Sequence, residues 1–339
     1  MSPRPHKCSE DVGTRLGAFY VYERAGELVA DLYLSDLRSE KNWILVFSGK
    51  RLPCSPFLID GRILLYSRDQ APNGNVSEIT EDGVERRVLA PELEASIQQI
   101  AFTEHHLFTS YCIDCTTVIR RWPPTGAQSE LGETLCELGS GATIEFLPNL
   151  GHDLSSFFYT RETFTEPPVI REYPGESKAL PRIAQTICTG RPNRFRVDEV
   201  YFSSKDGTRI PMSLVAARDR SMKSARPVIM TSYGGFGVSM TPAFSVLVAI
   251  MAGLGAIFAL PNTRGGSEFG HEWHDAARRR NRQTSFTDFI CAASLQHRTL
   301  ITRWTTWRLH VPMESHPLEI SEPRSSVQLA PTRVRRALR

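Results

Sequence analysis

Residues 226–245 read RPVIMTSYGGFGVSMTPAFS. Short, apolar and rich in β-branched residues, the start of this stretch is a buried strand, and it runs directly into a glycine turn. Gly234, Gly235 and Gly237 allow the chain to reverse sharply where the strand ends. In α/β sheets that carboxyl edge is where ligands bind. Two aromatic side chains, Tyr233 and Phe236, flank the turn. Read from the residues alone, they pack the turn.

The neighbouring segments extend the same pattern. FSVLVAIMAGLGAIFAL (244–260) is 17 residues of almost unbroken apolar sequence, at the lower limit for crossing a bilayer. Two glycines interrupt it and Pro261 ends it, so the expectation is a buried helix, a turn at 253–255 and a buried strand. Upstream, FRVDEVYFSSKDGTRIPMSLVAARD (195–219) gives two strands around the turn KDGT. Residues 268–293 add further helix and strand. Strands interleaved with helices indicate an α/β sheet with parallel order.

Before residue 190 the texture differs. GAFYVYER (17–24), ADLYLSDL (30–37), GRILLYSRD (61–69), HLFTSYCID (106–114), TTVIRRW (116–122), SSFFYTRE (155–162) and VIREYP (169–174) are short alternating stretches broken by Gly, Pro, Asn and Asp. Corresponding strands recur at roughly 45-residue intervals, as propeller blades of four strands would. Periodicity alone leaves a propeller and a β-sandwich equally open.

Three segments carry a resemblance. YFSSKDGTRIPM (201–212), SYGGFGVSMTPAFS (232–245) and PNTRGGSEFGHEWHDAARRRNRQTSFTDFICAA (261–293) resemble, in order and spacing, the opening of the catalytic domain of the prolyl oligopeptidase (prolyl endopeptidase) family of serine peptidases. GSGATIEF (139–146) and SSFFYTRETFTEPPVIREY (155–173) look like that family's last propeller blades. The resemblance spans roughly residues 15–293. It implies a partial β-propeller plus a partial α/β-hydrolase, a mixed all-β and α/β chain incomplete at both ends. The expected divisions are 1–185 for the C-terminal blades, 186–293 for the start of the peptidase domain, and 294–339 for a non-homologous tail, out of frame or disordered.

Function follows from the same resemblance. It implies hydrolysis or transpeptidation of short peptides after proline by a serine nucleophile, with no cofactor and no metal. The tyrosine matching Tyr233 donates its hydroxyl to the oxyanion of the tetrahedral intermediate, and the phenylalanine matching Phe236 lines the substrate pocket. Donors aimed at developing negative charge suit acyl transfer. Arg264 in NTRGGSEFG is expected to be fixed by carboxylates in a structural loop. HEWH (271–274) falls one residue short of the zinc spacing H-E-x-x-H, and Trp273 and His274 are read as packing residues.

The rest of the chemistry is missing. The family's nucleophile needs a glycine-rich elbow, yet no glycine follows Gly270 and no aspartate follows Asp288. Ser140 in LGSGAT has the wrong spacing. Residues 294–339 hold eight arginines and no lysine, glycine or aspartate, with no sustained apolar period. The chain is therefore expected to be inactive alone, its parent a monomer acting on a short proline-containing peptide. A non-catalytic, propeller-bearing protein that binds peptides or proteins is the alternative.

Bulk properties agree with a soluble globular protein. With 41% hydrophobic and 23% charged residues the composition argues against disorder. A net charge of +3 is too small for a nucleic-acid footprint, and no membrane association is expected. Seven scattered cysteines fit reduced thiols. Cys112 and Cys115 form a C-x-x-C within a strand-like segment rather than at a helix start, against a redox or metal role. The first residues lack the apolar core of a secretory signal, so a cytoplasmic location is expected.

Overall fold

The computed structural model describes residues 5–10, 15–25, 27–36, 43–59, 61–123, 132–135, 141–148, 154–174, 182–185, 194–219, 226–299 and 305–307. Ser140, the junction at 185/186 and the tail from residue 308 lie outside the described residues.

Four four-stranded sheets succeed one another along the chain. The first comprises β1 (Pro5–Glu10), β2 (Arg15–Arg24), β3 (Glu27–Asp36) and β4 (Ile44–Arg51). The second holds β5 (Cys54–Ile59), β6 (Arg62–Ser67), β7 (Asn75–Ile79) and β8 (Glu85–Ala90). β9 (Ile97–Phe102), β10 (Leu107–Ile113), β11 (Thr116–Trp122) and β12 (Glu133–Thr134) form the third. β13 (Thr143–Phe146), β14 (Ser156–Glu162), β15 (Val169–Pro174) and β16 (Arg182–Gln185) form the fourth. Each is an antiparallel meander in chain order. Second strands begin at residues 15, 62, 107 and 156, close to the spacing read from the sequence.

Both faces of the inner sheets are apolar, and this stacks the sheets face to face. On β6, Ile63 and Leu65 pack towards the first sheet with Phe19, Leu32 and Val46. Leu64, between them, packs the other way with Leu89, Tyr111 and Trp122 of the second and third sheets. Phe108, Ile119, Phe157 and Tyr159 join the third sheet to the fourth. Period-two alternation thus feeds two cores at once, a propeller's packing rather than a sandwich's. Among the described residues no such cluster joins the first sheet to the fourth.

A fifth sheet follows, with β17 (Phe195–Ser203), β18 (Arg209–Ala217), β19 (Val228–Met230), β20 (Ile257–Pro261) and β21 (Thr305–Trp307) in the order β17-β18-β20-β19-β21. The expectation of parallel order holds only in part. β17, β18 and β20 pair antiparallel, and only β20, β19 and β21 pair parallel. The tight KDGT hairpin forces the first reversal, whereas the helix between β19 and β20 provides the crossover that parallel pairing needs.

Two further expectations are corrected. The helix of the 244–260 segment, α1 (Val246–Gly253), is not buried. Only Ala252 is buried along it, while Val246, Leu247, Ile250 and the following Leu254 are exposed. Apolar composition all round a helix does not say which faces have a neighbour. Regular structure also runs past residue 293. After the short α2 (Gly270–Asp275), α3 (Gln283–Thr299) continues through the point where a tail was expected, because no glycine or proline interrupts it, and β21 then pairs with β19. Among the described residues no helix is long and apolar enough to cross a membrane.

Candidate functional site

β19 delivers the chain to the carboxyl edge of the fifth sheet. Ser232 is buried there, its hydroxyl donating to the Pro261 carbonyl (2.9 Å) and lying 2.8 Å from Thr263 Oγ1. The next residues turn left-handed: φ is 48° at Gly234, 54° at Phe236 and 65° at Gly237. The Val238 N–H donates to the Gly235 carbonyl (3.0 Å), closing a tight turn with Phe236 and Gly237 at its centre. A phenylalanine in this region is strained by about 1–3 kcal/mol and persists only where its surroundings hold it. Its ring is half exposed, and Tyr233 is half buried on the same turn.

What holds it is the loop 261–267. The Gly265 carbonyl accepts from the Gly237 N–H (3.0 Å) and from His274 Nδ1 (2.8 Å). The Gly234 carbonyl accepts from the Arg282 guanidinium and the Ser285 hydroxyl. The two loops approach too closely for side chains. A Cβ on Gly265 would lie 2.3 Å from the Gly234 oxygen, and one on Gly234 2.2 Å from Thr263 Oγ1.

Arg264 fixes the loop itself. Its Nε and one terminal nitrogen donate to the two oxygens of Asp288 (3.0 and 2.6 Å), and the other terminal nitrogen donates to Asp206 (2.5 Å) and Thr208. Asp288 is wholly buried on α3, and it also accepts from the Arg264 N–H and the Ser204 hydroxyl. Arg264 is thus held by carboxylates as the sequence suggested. The hydrogen bonds from Arg264 hold the Asp206 carboxyl well below its ordinary range and raise the Arg264 guanidinium, for which Asp288 is the first cause.

Among the described residues no three His, Cys, Asp or Glu side chains come together at HEWH. His271 pairs with Asp275 (3.1 Å), and its ring centre lies 6.4 Å from that of His274. Trp273 packs on the fifth sheet's core and on Phe269. Cys112 is the last residue but one of β10, and Cys115 is the second of the two left-handed residues that turn the chain into β11. Burial raises both thiols, Cys112 to about 12, which keeps them protonated and unreactive.

Sequence reasoning passed over Glu268. Its Oε1 accepts from the Met240 N–H (2.8 Å) and from Asn262 Nδ2, while Oε2 is buried with no hydrogen-bond partner among the described residues. Burial pushes its carboxyl up to about 7. It lines a cavity of about 870 Å³ between the β8–β9 segment, the end of β10 and Phe269. Neither Tyr233 nor Phe236 lines that cavity.

The chain is similar to known peptidases over most of its length. A profile of the prolyl oligopeptidase family matches residues 242–303, beginning just after the turn. The prolyl endopeptidase of Elizabethkingia miricola is 29% identical over 274 residues, 77% of this chain and 37% of its own length. The dual function macrocyclase-peptidase POPB of Amanita bisporigera is 38% identical over 141 residues, 40% of this chain and 19% of its own. Among solved structures, prolyl oligopeptidase B from Galerina marginata bound to a 35mer hydrolysis and macrocyclization substrate superposes with a TM-score of 0.73 at 24% identity, over 88% of this chain and 43% of that one. Oligopeptidase B from Leishmania major gives a TM-score of 0.73 at 19% identity, over 86% of this chain and 45% of that one. The chain therefore spans less than half the length of these relatives.

Glu268 gives the site region a pH signature. Its ordinary value is 4.5 and burial raises it in the folded state, so the folded protein holds the additional proton between about pH 4.5 and 7. Its contribution to stability is full below the lower value and is lost as pH rises through about 7, by about 3 kcal/mol. Glu268→Gln is expected to flatten the fall in unfolding free energy between pH 5 and pH 8, measured by urea titration. An unchanged slope would assign that fall to other groups.

Proposed function

Because the chain belongs to the prolyl oligopeptidase family, we propose that residues 226–293 supply the oxyanion-side wall of a serine peptidase site acting on short proline-containing peptides. One observation carries the reading: Phe236 is held left-handed with its ring half exposed. Strain of that kind, locked by bonds to Gly237 and Gly234, is offset by the burial of only about half the side chain and is reasonable where an aromatic face must be presented to a ligand. Packing alone, the reading of Tyr233 and Phe236 from residues only, would favour a buried ring.

Each residue then has a role. Phe236 offers an apolar face to the substrate beside the scissile bond. Tyr233 donates its phenolic hydroxyl to the carbonyl oxygen as negative charge develops during attack. One preorganised donor of this type is worth about 3 kcal/mol in the transition state and little before it. Hydrolysis or transpeptidation depends on whether water or an amine resolves the acyl intermediate. The macrocyclase-peptidase named among the relatives makes the second outcome reasonable here.

We assign residues 1–185 to propeller blades and the chain from 186, through the matched segment that ends at 303 and β21, to the peptidase part. The change from stacked four-stranded sheets to the mixed sheet between Gln185 and Phe195 supports this division. Lacking a glycine elbow after Gly270 and an aspartate after Asp288, the chain is read as catalytically silent by itself. For the full-length protein we propose a cytoplasmic monomer without cofactor, metal, nucleic acid or membrane partner, in keeping with the small net charge and scattered cysteines of these 339 residues.

Two experiments test this function. The purified chain is expected to show no labelling by a fluorophosphonate probe, and stoichiometric labelling of one serine, abolished by its replacement with alanine, would overturn the silent reading. The second uses a chimera in which residues 226–293 replace the matched segment of the Elizabethkingia miricola enzyme. There Tyr233→Phe is expected to lower turnover of a Gly-Pro reporter by about tenfold to a thousandfold with little change in KM. Unchanged turnover would remove Tyr233 from the site.

A further inference from the structure

We propose that Asn73, in the turn between β6 and β7 of the second propeller sheet, is a positioning residue for the Phe236 turn, acting through α2 as a helix cap supplied from another part of the fold. Calling that turn a substrate site rests on the functional reading above; the relay itself does not.

The first turn of a helix leaves backbone N–H groups without intrahelical partners, and a side chain just before it commonly accepts one of them. α2 lacks that device, because Phe269 stands at its cap position and makes no side-chain hydrogen bond there. Asn73 Oδ1 takes its place, accepting from the His271 N–H at 3.0 Å across 198 residues of sequence. Gly270 is matched to it: at φ 79° it has no Cβ, and one placed there would lie 2.8 Å from both Asn73 Oδ1 and the Glu94 carbonyl.

Asn73 is in turn immobilised by the segment that joins the second sheet to the third. Its Nδ2 donates to the carbonyls of Leu93 (3.0 Å) and Glu94 (2.9 Å), and Oδ1 also accepts from the Ser96 hydroxyl (2.9 Å). Its backbone N–H donates to Glu92 (2.7 Å), and its carbonyl accepts from the Ile97 N–H (2.9 Å). This amide makes all of its contacts in a single orientation, so it transmits position.

The other end of α2 clamps one residue twice. The Trp273 carbonyl accepts from the Gly265 N–H (3.0 Å), and His274 Nδ1–H donates to the Gly265 carbonyl (2.8 Å). That carbonyl is the one that accepts from the Gly237 N–H, next to Phe236. The path from propeller to turn therefore runs Asn73, His271, α2, His274, Gly265, Gly237. A second approach, from Gln98 on β9 through Ser267, reaches the Gly237 carbonyl rather than its N–H and begins with a longer contact of 3.5 Å. Exchange at the Gly237 amide therefore reports the Asn73 path.

Residue-resolved amide hydrogen exchange on the full chain separates a relay from a local contact. Asn73→Ala is expected to speed exchange about tenfold at both His271 and Gly237, while Thr117, bonded to Ala142 in the propeller part, keeps its rate. His274→Ala is expected to release Gly237 and leave His271 protected. If Asn73→Ala fails to fold, the His274→Ala pattern decides alone. A Gly237 amide whose rate is unchanged in His274→Ala, or that changes no more than Thr117 in Asn73→Ala, would overturn the proposal. Normal turnover of the Tyr233→Phe chimera beside accelerated exchange here would remove the substrate reading and leave the relay intact.

Discussion

The backbone of Gly265 lies against the backbone of Gly234, and the arrangement of the candidate site depends on that contact. A side chain on either residue would occupy space already filled by a carbonyl or hydroxyl oxygen. Glycine at these positions lets two loops from neighbouring strands of one sheet interlock, β19 contributing one and β20 the other. Once they interlock, Gly237 and Phe236 have no freedom to leave the left-handed region, since the Gly237 N–H is tied to the Gly265 carbonyl. The aromatic face is then presented by main-chain geometry, with the two carbonyls involved held in addition by the His274, Arg282 and Ser285 side chains.

Arg264 makes this geometry durable. A buried guanidinium is costly unless its donors are used and its charge is matched. Here the fully buried Asp288 takes two of its N–H groups in parallel, and Asp206, Thr208 and Ser204 take the others. Those partners come from the β17–β18 turn and from α3. Two of the three segments that resemble the prolyl oligopeptidase family, 201–212 and 261–293, therefore meet at one ion pair. Breaking a pair of this kind by removing one partner leaves an uncompensated charge, a larger effect than the pair's own net contribution.

Much of the fold was legible because it is written in short-range patterns. Ile63, Leu64 and Leu65 show both the strand and its two buried faces, and the two-residue turn at Asp114 and Cys115 follows from the hairpin pattern around it. Strand direction was not legible, since an apolar run such as 257–261 looks the same parallel or antiparallel. Nor was the exposure of Leu247 and Leu254, which depends on neighbours rather than on the helix. Within the site, Tyr233, Phe236 and Arg264 stood out through their glycines and their resemblance to the family. Asn73 did not, because APNGN reads as an ordinary turn and its partner His271 is far along the chain. Glu268 gave no local signal either: a carboxylate in a glycine-rich loop is normally solvated.

Substituting single glycines measures the interlock directly, with an internal control. Gly265 has φ 107° and no room for a Cβ, whereas Gly253 has nothing within 4 Å and ends a helix in ordinary conformation. Unfolding free energies of Gly265→Ala and Gly253→Ala, taken from denaturant titration of the same chain, are predicted to diverge. Gly265→Ala should lose more than about 3 kcal/mol through strain and displacement of the Gly234 loop, and Gly253→Ala should stay within about 1 kcal/mol of the parent or gain slightly. Equal values for the two variants would contradict the account, because the turn bearing Tyr233 and Phe236 would then not depend on the close approach of Gly234 and Gly265.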